Sequence, residues 1–314
     1  MTAPSDGADA AAPWHAYLCL AASMALVGSY VGASRALVLV FPVLLLAWLR
    51  FGIAALAMAG WVRRASGEAR LTPREHRLLF AESFFGNFLF SVCMLYGMSL
   101  TTALAAGVIM AALPAVVALL SWWWLGERIS ARVGVAIACA VTGIALVSAS
   151  QGGAGATPHG TLAGNLLLFA AVGCEAIYVV LGKQLSAGIG AKRISALINL
   201  WGLALVTPFG IWQALRFDFA SVGAGGWLAL GAYSIAASVA TVWLWMTGLK
   251  HVPASAAGIY TVLLPISAAA VGLLFLGERY SPAQAAAFGL ALAGVLLATW
   301  PARVPDQAAT ASLR

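Results

Sequence analysis

Leu125-Gly126-Glu127-Arg128 returns 151 residues later as Leu276-Gly277-Glu278-Arg279, and two positions further on Ser130 returns as Ser281. The same ungapped offset pairs Pro114 with Pro265, Gly107 with Gly258, Ala105 and Ala106 with Ala256 and Ala257, Gly97 with Gly248, and Gly143 with Gly294. Ala and Gly recur easily in apolar sequence, but a Pro, a Glu and an Arg at fixed spacing do not. The chain is an internal duplication. A shorter offset of 148 residues relates Tyr30 to Tyr178 and Arg35 to Lys183.

The sequence around these marks is apolar almost throughout. Of 314 residues 62% are hydrophobic and 9% charged, with a mean hydropathy of +0.95. Soluble domains carry about a quarter charged residues, so a water-soluble monomer is excluded. Runs of about 20 apolar residues, the length a helix needs to cross a bilayer, lie at approximately 14–34, 40–61, 77–98, 102–124, 131–150, 161–183, 194–214, 225–247, 253–276 and 282–301. Each copy of the repeat then holds five spans, and an odd repeat enters the membrane in the opposite sense the second time. The expected fold is an all-α integral membrane protein of ten transmembrane helices in two inverted five-helix repeats. The expected divisions are a tail at 1–13, repeats at 14–150 and 161–301, a periplasmic linker at 151–160 and a tail at 302–314. Inverted repeats of this kind are typical of secondary transporters, whose site lies near the bilayer midplane.

Lys and Arg in short loops set orientation. With the N-terminus inside, inner segments hold Arg63, Arg64, Arg70, Arg74, Arg77, Arg128, Arg132, Lys183, Lys192, Arg193, Lys250, Arg303 and Arg314, while outer segments hold Arg35, Arg216 and Arg279. Both termini are therefore expected in the cytoplasm, and the chain in a bacterial inner membrane. Residues 1–13 carry Asp6 and Asp9 and no basic residue, the wrong start for a cleaved signal peptide. The basic residues lie in short runs between spans and make no patch for nucleic acid. No Gly-Lys-Ser/Thr follows Gly152, Gly153 and Gly155, so ATP-driven transport by this chain alone is not expected. Cys19, Cys93, Cys139 and Cys174 are widely spaced in apolar stretches and read as small core residues, with neither a disulfide framework nor a metal pattern. His15, His76, His159 and His251 lie at span edges or in loops, and no nucleophile, base and orienting group can be assembled. No enzyme, cofactor or metal is expected.

A charge at the bilayer centre costs about 2.5 to 3.5 kcal/mol, so ionisable residues inside spans are candidates for function. Arg50, Glu82 and Glu175 stand well inside spans 2, 3 and 6. A carboxyl there can carry a proton or meet a cationic group of a cargo; the purely structural alternative is an ion pair of Arg50 with Glu175 or Glu82. Ala171, Glu175, Tyr178 and Gly182 recur at helical spacing and give span 6 one small, polar stripe. With Tyr30 of span 1, Asn87 and Tyr96 of span 3, Tyr233, Ser238 and Trp245 of span 8 and Tyr260 of span 9, they would line a cavity for an amphipathic solute. The bland reading of the hydroxyls is helix-to-helix bonding, and of the aromatics lipid-facing packing or an interfacial belt, as Trp122 to Trp124 suggest. Pro114 and Pro265, mid-span in both copies, would bend their helices as gate hinges or as static kinks. Glu127, Arg128, Glu278 and Arg279, at span ends, read as helix caps. Small residues on spans 5 and 10 (Ala136, Ala140, Gly143; Ala287, Ala291, Gly294) permit close packing, within the chain or in a homodimer.

The doubled Leu-Gly-Glu-Arg, the Pro midway through spans 4 and 9, and Leu49-Arg50-Phe51 resemble the drug/metabolite transporter superfamily, and within it the bacterial exporters with two EamA domains. The resemblance covers about 14–300. It implies the ten-helix inverted-repeat fold, a central cavity lined mainly by spans 1, 3, 4, 6, 8 and 9, and export from the cytoplasm. Span 1 departs from the family in carrying Val27-Gly28-Ser29-Tyr30 where many members have Trp-Gly-Ser-Asn. The expected activity is secondary active export of a small amphipathic metabolite by alternating access, an amino acid or relative being favoured, with protons as a candidate coupling ion. A multidrug or cation efflux transporter and a non-transporting structural or lipid-interacting membrane protein are the rivals.

Overall fold

A computed structural model describes residues 14–64, 71–125, 131–150, 162–185, 189–249, 251 and 258–299. They are helical, with no strand among them. In chain order the helices are α1 (Trp14–Leu37), α2 (Val43–Ala57), α3 (Pro73–Leu100), α4 (Ala103–Met110), α5 (Leu113–Leu125), α6 (Ala131–Ser150), α7 (Leu162–Leu185), α8 (Ala191–Ala214), α9 (Ala224–Gly248), α10 (Leu263–Phe275) and α11 (Pro282–Thr299). Helices suit this sequence because lipid offers no partner for backbone N–H and C=O groups, and a helix satisfies them internally. Among the described residues α1, α3, α8 and α9 are long and apolar enough to cross a bilayer, while the other apolar stretches are shorter.

Several ends are fixed by identifiable groups. Pro42 precedes α2 at φ −54°, and α3 opens on Pro73 behind a capping box in which Thr72 and Glu75 satisfy each other's backbone N–H. At the far end of α3, Arg35 of α1 donates to the carbonyls of Met98 and Ser99 at 2.9 and 3.0 Å, placing a cation where the helix dipole is negative. Between α2 and α8, Trp48 Nε1 donates to Thr207 Oγ1 at 3.1 Å, and Asn199 Nδ2 donates to the Phe51 carbonyl at 3.0 Å.

Two of the expected continuous spans are broken. Span 4 divides into α4 and α5 at Ala111–Ala112, and α10 is preceded by a 3-10 turn, Gly258–Val262. Pro114 and Pro265 each sit just inside the helix that follows the break. Their missing N–H removes the bond to the carbonyl four residues earlier, which explains a break there. Two long helices also carry a wider turn of π type, α3 at Ser83–Leu89 and α9 at Ala236–Ala240.

The packing comes in matching pairs. Helix α1 lies against α10 and the second half of α9; α7 lies against α4, α5 and the second half of α3. Helices α2 and α8 pack on each other, as do α4 and α10, and α6 and α11. The last contact uses the small-residue faces, with Ala136, Ala287 and Ala291 buried. The largest core runs through Phe41, Phe51, Met94, Met98, Ile109 and Leu168, joining α1 to α5 with α7 and α8.

Candidate functional site

Where α1, α2, α3, α7 and α9 come together, Tyr30, Arg50, Glu82, Glu175, Tyr178 and Tyr233 form one group. Glu82 ends the first α-helical stretch of α3 and is fully buried (0% exposed), with neither carboxylate oxygen hydrogen-bonded among the described residues. It lies in electrostatic reach of Glu175 on α7. Tyr178, one turn further along α7, faces both carboxyls and Tyr30. Its side chain lies against Gly86, in the wide turn of α3, so closely that a Cβ there would collide with it. Tyr30 in turn meets Tyr233 edge to face, ring centroids 5.8 Å apart, and also faces Glu175 and Arg50.

Arg50 enters this group from α2, only 3% exposed. No carboxylate stands within ion-pairing distance of it among the described residues. Instead Nη2 donates to Ser91 Oγ at 2.5 Å, and the guanidinium lies 4.3 Å from the centroid of Phe51 and 6.0 Å from that of Tyr233. Cation–π contact offsets part of the desolvation of such a buried charge. Ser91 passes the interaction on, donating to the Asn87 carbonyl. The ion pair that the sequence suggested, Arg50 with Glu175 or Glu82, is absent.

Other expected site residues are placed elsewhere. Asn87 Nδ2 donates to the Ile198 carbonyl at 2.8 Å, and Ser83 Oγ donates to the same oxygen at 2.6 Å, tying α3 to α8. Tyr96 packs on the main core near the far end of α3. Trp245 and Tyr260 gather with Tyr17 around Ala16 and Leu20 at the start of α1, the rings of Tyr17 and Tyr260 being 6.0 Å apart. Ser238 sits in the wide turn of α9 and is buried. Glu278 caps α4, accepting from the N–H groups of Ala103 and Leu104, and Arg279 next to it is exposed. Glu127 and Arg128 lie outside the described residues.

The sequence reading did not single out Ser83 or Ser91, and took Cys93 and Cys174 only as small core residues. Ser91 is the partner of Arg50, and Ser83, Asn87 and Ser91 recur every four residues along one face of α3; that spacing is the signal that points to them. Cys93 on α3 and Cys174 on α7, both buried, belong to the same core between these two packed helices, Cys174 preceding Glu175. Glu82 and Tyr233 also stand 151 residues apart, the repeat offset, each within a few residues of a wide turn. Such turns re-aim side chains and are frequent at functional sites.

Comparison with known proteins identifies the family. The model of the EamA-like transporter family matches twice, over residues 14–149 and 162–300. A protein of Bacillus subtilis (strain 168) named "Uncharacterized transporter YetK" is 33% identical over 293 residues, covering 93% of this chain and 88% of that protein. A second from the same organism, "Uncharacterized transporter YwfM", is 27% identical over 199 residues, 62% of this chain and 64% of that protein. A solved crystal structure superposes with a TM-score of 0.63 at 19% identity, covering 93% of this chain and 98% of its own, a likeness of fold. With its apolar helices and both halves matched, the chain belongs to the EamA-like transporter family and is a multi-pass membrane protein.

Proposed function

We propose that this protein is a secondary exporter in a bacterial inner membrane, moving a small zwitterionic or amphipathic metabolite, an amino acid or a relative, out of the cytoplasm by alternating access. The observation that carries the reading is Glu82: a fully buried carboxyl with no hydrogen-bond partner among the described residues, beside Glu175, while the nearby cation Arg50 is engaged by Ser91 and aromatic rings. A residue kept only for packing would be paired, because a lone ionisable group in lipid is costly. A carboxyl left out of any ion pair can take up and release a proton or receive an ammonium group. Arg50, close to Tyr30 and Tyr233, supplies the complement for a carboxylate, and the tyrosine rings and hydroxyls supply apolar contact and hydrogen bonds.

Alternating access by two inverted five-helix repeats, 14–150 and 161–301, is supported by the pairing of the packing. The contacts of α1 with α9 and α10 match those of α7 with α3 and the α4–α5 pair. The breaks ahead of Pro114 and Pro265 fall in equivalent places, so rocking of one half on the other has a hinge in each.

A thermal-shift panel on the purified protein with amino acids, nucleosides and lipophilic cations tests the cargo class. A ligand at a hundred times its Kd stabilises by about 2.7 kcal/mol, a readily measured shift. Saturable stabilisation by amino acids, lost in Arg50→Gln, is the expected result. Stabilisation by lipophilic cations alone would replace this reading with multidrug efflux. No stabilisation by any class, together with no counterflow in proteoliposomes, would replace it with a non-transporting role.

A further inference from the structure

Away from the buried cluster, a cavity of about 630 Å³ opens between the turn after α2, the first turn of α8 and the last turns of α9. Arg63, Lys192, Arg193 and His251 line it together with Trp61 and Trp243, and no Asp or Glu is among its lining residues. Arg63, Lys192 and His251 are exposed. Lys192 Nζ stands 5.5 Å from the centroid of Trp61, which turns its ammonium toward that wall. The first turn of α8 contributes Ala191 to Arg193 to the lining, which brings the positive end of that helix's dipole to the same place. Among the described residues Glu75 stands near enough to act on Arg193, and its carboxylate also accepts from Thr72, through the backbone N–H at 2.6 Å and the hydroxyl at 2.8 Å.

We propose that this cavity is a phosphate-binding site, occupied by the headgroup of an anionic phospholipid. Two exposed cations, Arg63 and Lys192, and a helix N-terminus with no acid among the lining residues create a positive potential, and phosphate is the anion that arginine and lysine together match best. Two features favour lipid over a free phosphate. Trp61 and Trp243 are the residue type that settles at headgroup level, and Trp243 is 41% exposed on the bundle surface. The basic residues are among those the Lys and Arg distribution assigns to the cytoplasmic side, whose leaflet attracts such clusters to its anionic lipids. The site is separate from the carboxyl and tyrosine cluster, and the proposal does not depend on which cargo is carried.

The test is equilibrium binding to the full-length protein in phosphatidylcholine nanodiscs. Three probes are added separately: a fluorescent short-chain phosphatidylglycerol, the matching phosphatidylcholine, and inorganic phosphate as competitor. The account predicts saturable phosphatidylglycerol binding and none with phosphatidylcholine. Neutralising one cation, Arg63→Gln or Lys192→Gln, should weaken binding about fivefold, the equivalent of about 1 kcal/mol per basic residue near a membrane surface. Arg279→Gln, an exposed cation elsewhere, should leave it unchanged and serves as the folded control. Competition by phosphate at equal affinity would retain the phosphate site and reject the lipid as its occupant. Equal binding of both lipids, or phosphatidylglycerol binding unaltered by both cavity variants, would overturn the site.

Discussion

The carboxylate of Glu278 accepts the backbone N–H of Ala103 at 2.8 Å, so the second copy of the repeated motif caps a helix of the first. The same group takes the N–H of Leu104 at 3.1 Å, and the bond from Glu278 N–H to the Gly272 carbonyl at 2.9 Å holds the turn in place. Gly277, just before it, has φ +65°, a left-handed conformation that explains a glycine in the motif. One carboxylate thus satisfies two of the donors that a helix start leaves open.

Glu278→Ala removes both bonds from the start of α4. Loss of a cap costs about 1 kcal/mol, with a range of about 0.5 to 2. The melting temperature of the purified protein in detergent should fall, whereas Arg279→Ala, at an exposed position, should change it little. Equal melting temperatures for wild type and Glu278→Ala would rule out the cap as a stabilising contact.

Gly86→Ala puts a methyl group against the Tyr178 ring. Overpacking of this kind costs about 1 to 3 kcal/mol, and relief requires Tyr178 to leave its place beside Glu82 and Glu175. Stability should drop, and ligand-dependent stabilisation should drop with it. A variant that melts and binds like wild type would mean that the ring is not held where the geometry has it.

Cys93 and Cys174 are free, buried thiols in one core, facing each other's helix across the packed pair α3 and α7. In a Cys19→Ser, Cys139→Ser background, mild oxidation should link them, and peptide mass spectrometry should recover the joined fragments. The link should also stop transport if α3 and α7 shift against each other during the cycle. Failure to crosslink in either detergent or membrane would contradict this placement.

Much of this was readable in the residues, for physical reasons that differ from place to place. The Leu-Gly-Glu-Arg repeat and the paired prolines were visible because a charged cap and a missing N–H leave marks in sequence. The break at Ala111–Ala112 was not, because alanine favours an unbroken helix and only the following Pro114 hints otherwise. Arg50 illustrates a second limit. Its burial was evident, but a partner in lipid is chosen by three-dimensional approach, and here a serine and two rings outcompete the carboxylates. Tyr30 and Tyr233 converge from opposite halves, whereas Trp245 and Tyr260 pack elsewhere, since helical spacing gives a face but not the neighbour it meets.

Orientation has its own check. Reporter tags inserted between Arg63 and Arg77 and fused after Arg303 should both report cytoplasm, because the short loops on that side carry most of the Lys and Arg. A periplasmic signal from either tag would invert the proposed topology and, with it, the side on which the basic cavity opens.

The most direct measurement of the central claim is uptake of the stabilising cargo into proteoliposomes under an imposed pH gradient, comparing wild type with Glu175→Gln and Glu82→Gln. If the buried carboxyls couple the cycle to protons, gradient-driven uptake is lost in Glu175→Gln while cargo exchange without a gradient persists, because the binding cluster of Tyr30, Tyr233 and Arg50 is intact. Gradient-driven uptake with unchanged pH dependence in both variants would contradict the account.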